Sequence, residues 1–133
     1  MYGASIGITS QNAVDVIKQI KRGLPASSFE KLRKNLDVSE KLLSSTVRIA
    51  KRTLIRRKQE GRLKTDESER LFRIAKLYDK AIEVFEDRNI ARKWFKDPVR
   101  ALGGKTPLEF ADTELGAQEV EALLGRIEHG IFS

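Results

Sequence analysis

The sequence contains no cysteine. That excludes a disulfide framework and thiolate metal sites, and it suits a reducing cytosol. A single histidine, His129, is too few for a histidine-based metal centre. Neither a metal nor a cofactor is expected. No apolar run approaches the roughly 18 residues needed to span a bilayer. The opening MYGASIGITSQ has no basic region followed by an apolar core, so no signal peptide is expected. The expectation is a cytoplasmic protein with no membrane partner. Catalytic groups are scarce too. There is no thiol nucleophile, no Ser–His pairing with a credible acid, and no carboxylate pair with an evident pocket. The "GGKT" of Gly103–Thr106 fails as a phosphate loop, because Val99 stands where the first glycine belongs and no strand precedes it. Asp112 and Glu114 flank a helix start, where carboxylates offset exposed N–H groups. An enzyme is not expected.

Positive charge, by contrast, is abundant and uneven. The 133 residues carry a formal charge of +7. Residues 1–66 hold 15 Lys/Arg against 6 Asp/Glu, and residues 67–133 hold 11 against 13. Such a split points to two surfaces with different partners. The apolar fraction of 40% and charged fraction of 34% fit one ordered helical domain or two very small ones.

Apolar residues recur at helical spacing throughout, and nothing alternates at period two for long enough to make a strand. The chain is expected to be all-α. The first helix runs from Asn12 to Arg22 and is ended by Gly23. Ser27 or Ser28 caps a second, with Phe29, Leu32 and Leu36 on one face. Ser39 caps a third, through Val47. A fourth runs from Lys51 to about Glu60, stopped by Gly61. A long fifth starts at Thr65 or Asp66, with Asp66 and Glu69 as a capping box. Asn89 caps a sixth that ends before Pro98. Pro107 opens a short helix, and Thr113 caps the last, which Gly130 ends. Phe72, Leu77, Val84, Trp94 and Phe95 form an apolar surplus in the second half, the kind of surface that marks a partner site.

The basic stretch VRIAKRTLIRRKQEGRLK, Val47–Lys64, contains eight Lys/Arg and one acid, Glu60. Its apolar spacing is that of a helix-turn-helix over Ser39–Arg57. Leu43, Val47, Ile49 and Leu54 face inward, Ser44 is small at the crossing, and Ile49 plugs the joint. Lys51, Arg52, Ile55, Arg56 and Gln59 then share the outer side of the second helix. Lys51 and Arg52 lie in its first turn, the part that meets base edges in the major groove. Thr53 is placed to reach a phosphate. Arg57, Lys58, Arg62 and Lys64 are expected on backbone phosphates, which position a head without reading sequence. Arg48 stands at the turn position usually given to glycine, and Arg57 where such motifs often keep an apolar residue.

The chain resembles the Xre/MbcA/ParS family of antitoxins. The resemblance rests on Arg52-Thr53-Leu54 with Arg56-Arg57, the ESERL of Glu67–Leu71, ARKWF of Ala91–Phe95, LGGKTPLEF of Leu102–Phe110, DTELG of Asp112–Gly116 and RIEHG of Arg126–Gly130. These pieces fall in order, and the resemblance spans roughly residues 20–133. It implies an Xre-like helix-turn-helix region over residues 1–64 and a toxin-binding and dimerisation domain over residues 65–133. It further implies a RES-domain toxin partner acting on NAD, homodimerisation, and repression of the protein's own operon through operator DNA. In the family the last helix and tail resemble a plug at the toxin's active-site entrance. The expected toxin contacts are therefore Arg126, His129, Gly130, Ile131, Phe132 and Ser133. By its position alone, His129 is expected to cap the last carbonyls of its helix. The alternative is a stand-alone helix-turn-helix regulator without a toxin.

Overall fold

A computed structural model describes residues 4–8, 10 and 12–130. Eight α-helices and two short 3-10 turns make up the regular structure among them. The helices are α1 (Ala13–Arg22), α2 (Ser27–Leu36), α3 (Glu40–Thr46), α4 (Lys51–Glu60), α5 (Thr65–Phe85), α6 (Arg88–Lys96), α7 (Pro107–Phe110) and α8 (Glu114–His129). The all-α expectation holds. The Asn12, Ser39, Thr106 and Thr113 side chains each accept a backbone N–H at a helix start, as short polar residues do there.

Three caps differ from the sequence expectation. Ala26, not a serine, precedes α2, and Ser28 lies buried inside the helix. The start of α5 is secured by Glu67, whose Oε1 accepts the Lys64 N–H at 2.8 Å. The Asp66–Glu69 box is not the one used. Asp87 caps α6 two residues earlier than Asn89, with Oδ1 accepting from Asn89 N at 2.7 Å and Ile90 N at 2.9 Å.

One core runs through the chain. Phe29, Leu32, Leu36, Leu43 and Leu54 from α2–α4 join Leu71, Ile74 and Tyr78 of α5, and then Phe95, Val120 and Leu124. The helix α5, about 31 Å long at 1.5 Å per residue, packs against α1, α6 and α8. It thus touches elements of both the basic half and the second half. Tyr78 lies edge-on to Phe95 at 6.0 Å, and its hydroxyl donates to the Asn35 carbonyl at 3.2 Å. Arg92 and Lys96 of α6 donate to the Asn35 and Asp37 carbonyls, at 2.9 and 3.0 Å. Cations from the second half thus cap the C-terminal end of α2, where free carbonyls favour positive charge.

The apolar surplus is corrected in part. Leu77 of α5 and Phe95 of α6 are buried in the core and offer no surface to a partner. Phe72, Val84 and Trp94 are partly buried and pack against that core. A 21-residue helix flanked on several sides needs more than one apolar stripe, which accounts for Leu77.

Gly23 shows why the basic half closes. At φ +97°, a Cβ there would sit 2.1 Å from the Leu63 carbonyl oxygen. The close approach lets Leu63 N donate to Leu24 O at 2.9 Å and Ala26 N to Gly61 O at 3.0 Å. Ser68 Oγ accepts the buried Leu24 N–H at 2.8 Å. The segment before α2 is thereby sewn to the segment before α5.

Candidate nucleic-acid and partner interfaces

Helices α3 and α4 are joined by a turn built from α3's own C-terminus. The Arg48 N–H donates to Ser45 O at 3.2 Å, and the Ile49 N–H to Ser44 O at 2.9 Å. This pair of bonds is a Schellman motif, which requires a left-handed residue between the helix and its apolar anchor. That residue is Arg48, at φ +55°. A non-glycine side chain there costs about 1 kcal/mol. Ile49, at 3% exposure, is the anchor, beside buried Leu43 and Val47. The glycine-free turn anticipated from Arg48 is therefore real.

Leu54 is fully buried, and it fixes the rotation of α4. The opposite side is open. Lys51, Arg52, Ile55, Arg56 and Gln59 are all exposed, and Thr53 is half-buried. Lys51, Arg52 and Arg56 make no ion pair among the described residues. The first turn of α4 borders a concavity of about 680 Å³, whose charged lining is Lys41, Arg48 and Lys51 against one acid, Glu40. Ala50 stands at the N-cap with no side-chain acceptor, so the helix N-terminus keeps its positive character. A row of guanidinium and ammonium groups on a protruding helix beside a shallow recess suits the edge of a polyanionic duplex.

Arg57 departs from its expected role. It is buried, with Nε donating to Glu67 Oε1 at 2.8 Å and Nη2 to Glu67 Oε2 at 3.0 Å. Nη1 reaches Glu60 at 3.1 Å. The fork-to-fork pair occupies the inward position that an apolar residue often takes, so Arg57 binds α5 instead of facing phosphate. Burial pushes the Glu67 carboxyl up, but the Arg57 hydrogen bonds and the Lys64 N–H outweigh it and hold the group below its usual range. The hydrogen bond to Glu67 raises Arg57 in turn. Lys58 is exposed and pairs with Glu40 across the two helices at 2.9 Å. Arg62 donates to Gly23 O at 2.6 Å and helps close the domain. Lys64 is exposed at the start of α5.

Sequence reasoning missed Arg70. Its Nε donates to Val47 O at 2.6 Å and its Nη2 to Arg48 O at 3.2 Å, while Nη1 pairs with Asp66. Nothing in local spacing shows that a cation on α5 meets the turn 22 residues earlier. Glu67 was legible only as part of ESERL.

The second half presents different surfaces. Arg126 and His129 are exposed on the last turns of α8, and Gly130 ends the helix. His129 Nε2 lies 3.3 Å from Glu128 Oε1. Ile131, Phe132 and Ser133 lie outside the described residues. Leu115, at 69% exposure, is the most exposed large apolar group among the described residues. It borders a recess of about 340 Å³ with Glu109, Phe110, Asp112 and Glu119. Leu115 falls off the Ala117–Val120–Leu124 stripe, a departure visible in the sequence. Gly116 is packed so tightly that a Cβ would meet Phe110 O at 1.8 Å, which seats α8 on α7. Arg73 of α5 holds the same helix start through Glu114 at 3.2 Å. Among the described residues no cluster of side chains suits a metal ion, and no helix is long and apolar enough to cross a membrane.

Comparison with known proteins follows this division. Residues 15–76 match the antitoxin Xre-like helix-turn-helix domain, and residues 80–130 match the antitoxin Xre/MbcA/ParS C-terminal toxin-binding domain. An antitoxin Xre of Yersinia enterocolitica is 32% identical over 96% of this chain and 88% of its own length. An antitoxin Xre of Photorhabdus laumondii is 34% identical over 97% and 88%. A protein of Sphingobium sp. (strain YBL2) named Prs ADP-ribosylating antitoxin is 28% identical over 90% and 82%. Fold and matches together define the class: a type II antitoxin, not an enzyme, in which a helix-turn-helix DNA-binding domain precedes a toxin-binding domain. The chain belongs to the Xre/MbcA/ParS family of antitoxins.

Proposed function

We propose that this antitoxin neutralises a RES-domain toxin acting on NAD, by steric occlusion, and represses its own operon by binding operator DNA as a homodimer in the cytoplasm. Residues 1–64 supply the DNA-reading head and residues 65–133 the toxin-binding and dimerisation surface. The observation that carries the DNA half is the open row of Lys51, Arg52 and Arg56, set outward by buried Leu54. Thr53, Ile55 and Lys58 flank that row and complete the contact set. Arg57 leaves it, because its charge is spent on Glu67. A two-fold dimer presents two such heads to a palindromic site.

The toxin half rests on the matched toxin-binding domain and on the exposure of Arg126, His129 and Gly130 at the end of α8. The tail Ile131–Ser133 continues from that end and is assigned to the toxin's active-site entrance. The ADP-ribosylation in the Sphingobium relative's name supports a toxin that consumes NAD.

The test is co-expression with a candidate RES-domain toxin, with cellular NAD as readout. The full chain should preserve NAD. A chain truncated after Gly130 should fold as before yet let NAD fall. Equal protection by both would remove the tail from the mechanism. A RES toxin untouched by the full chain would remove the proposed partner.

A further inference from the structure

The turn between α3 and α4 holds a left-handed Arg48, and its two outward carbonyls are held by a single side chain from another element. Arg70 reaches both, at 2.6 Å to Val47 and 3.2 Å to Arg48. One helical turn earlier on the same helix, Glu67 grips Arg57 in the last third of α4 by two hydrogen bonds. The residues at i and i+3 of α5 therefore hold α4 at both ends: its entry through the turn and its exit through Arg57. Lys51 and Arg52 lie three and four residues beyond Arg48, so the angle of that turn sets where they point. The Arg70 side chain is only 19% exposed and its third nitrogen faces Asp66. All three of its nitrogens are thus engaged by the protein itself, two by the turn and one by Asp66.

We infer that Arg70 is a positioning residue for operator reading: its guanidinium locks the strained α3–α4 turn in the conformation that presents Lys51 and Arg52 to base edges. This inference rests on the reading that α4 recognises DNA. Base contacts need side chains held within about 0.5 Å of the productive geometry, whereas attraction to phosphates tolerates a looser head. Loosening the turn therefore removes discrimination and leaves general DNA affinity in place. It also predicts that a residue comfortable in the left-handed region makes Arg70 less necessary, since the lock then opposes less strain.

The experiment measures binding of the full-length protein to two labelled duplexes, one spanning the region upstream of its own gene and one a scramble of equal composition. Arg70→Met should lower affinity for the upstream duplex about tenfold, the worth of one base contact, with scramble affinity within about twofold of wild type. In an Arg48→Gly background the same substitution should cost less than about threefold, because glycine tolerates the turn unaided. Arg70→Lys, which keeps the charge but reaches fewer carbonyls, should fall between wild type and Arg70→Met, and it decides the matter if the methionine variant does not fold. Unchanged discrimination in both variants overturns the role of Arg70 alone. Equal loss on both duplexes, or no relief from Arg48→Gly, also overturns it. A wild-type protein that does not separate the two duplexes overturns the DNA reading and the positioning role together.

Discussion

At the scale of the residue, the Arg57–Glu67 pair is the most instructive position. Two buried charges contribute to stability only while each satisfies the other. Arg57→Ala should therefore destabilise the protein by about 3–5 kcal/mol, as is usual when one partner of a buried pair is stranded. Replacing both with Met and Leu should cost only about 0.5–2 kcal/mol, because no desolvated charge remains and what is lost is Glu67's acceptance of the Lys64 N–H. Denaturant melts of the two single variants and the double variant check this; a double variant as damaged as Arg57→Ala would refute it. The same pair sets a pH dependence. The Glu67 carboxyl is held below its ordinary value of 4.5 in the folded protein. Its contribution is then fully present above that value and is lost as pH falls below it through the folded value. The drop in melting temperature below about pH 4.5 should be shallower in Glu67→Gln than in wild type. The inward turn of Arg57 was half legible. The sequence marked its position as one often kept apolar, but only the tertiary partner ten residues away decides between phosphate and Glu67.

At the scale of the element, helix limits could be read closely where the punctuation is local. Gly23, Gly61 and Gly130 end helices where expected, Ser39 and Thr113 cap them, and Pro107 opens one. The misses have two causes. The α2 start has no side-chain acceptor, and the preceding Ala26 N–H is held by the Gly61 carbonyl of another segment. Asp87 displaced Asn89 because a carboxylate two residues earlier accepts two N–H groups. The outer face of α4 was readable because one inward residue, Leu54, determines the rest by rotation. Leu54→Ala should cost about 2–5 kcal/mol and loosen the head. Gly23→Ala should be comparably damaging, since its Cβ would meet the Leu63 carbonyl oxygen and the backbone has φ +97°. Circular dichroism melts test both; wild-type stability in Gly23→Ala would mean the two loops are not sewn as described.

At the scale of the whole molecule, α5 is shared. It clamps the reading head through Glu67 and Arg70, and it holds the start of α8 through Arg73 and Glu114. The family matches also meet within it, between residues 76 and 80. The charge split in the sequence hinted at two surfaces, but the matches divide about ten residues later, inside α5. Leu77 and Phe95 were misleading because packing between helices takes them into the core. Association with DNA should weaken steeply with salt as phosphate contacts release counterions, with log affinity falling by about 0.9 per contact for each unit of log salt. Removing Lys58, an exposed cation expected on a backbone phosphate, should make that slope shallower by about 0.9. A slope near zero would show that the basic half does not bind through its charge.

The account rests on the outward row of α4, and the most direct measurement is operator binding and toxin inhibition by one protein, Arg52→Ala/Arg56→Ala, side by side. The double variant should fold normally, still inhibit the toxin, and lose operator binding by about a hundredfold, the worth of two base contacts. Operator affinity retained within a few-fold would contradict the account, and the reading head would then have to be sought on another helix.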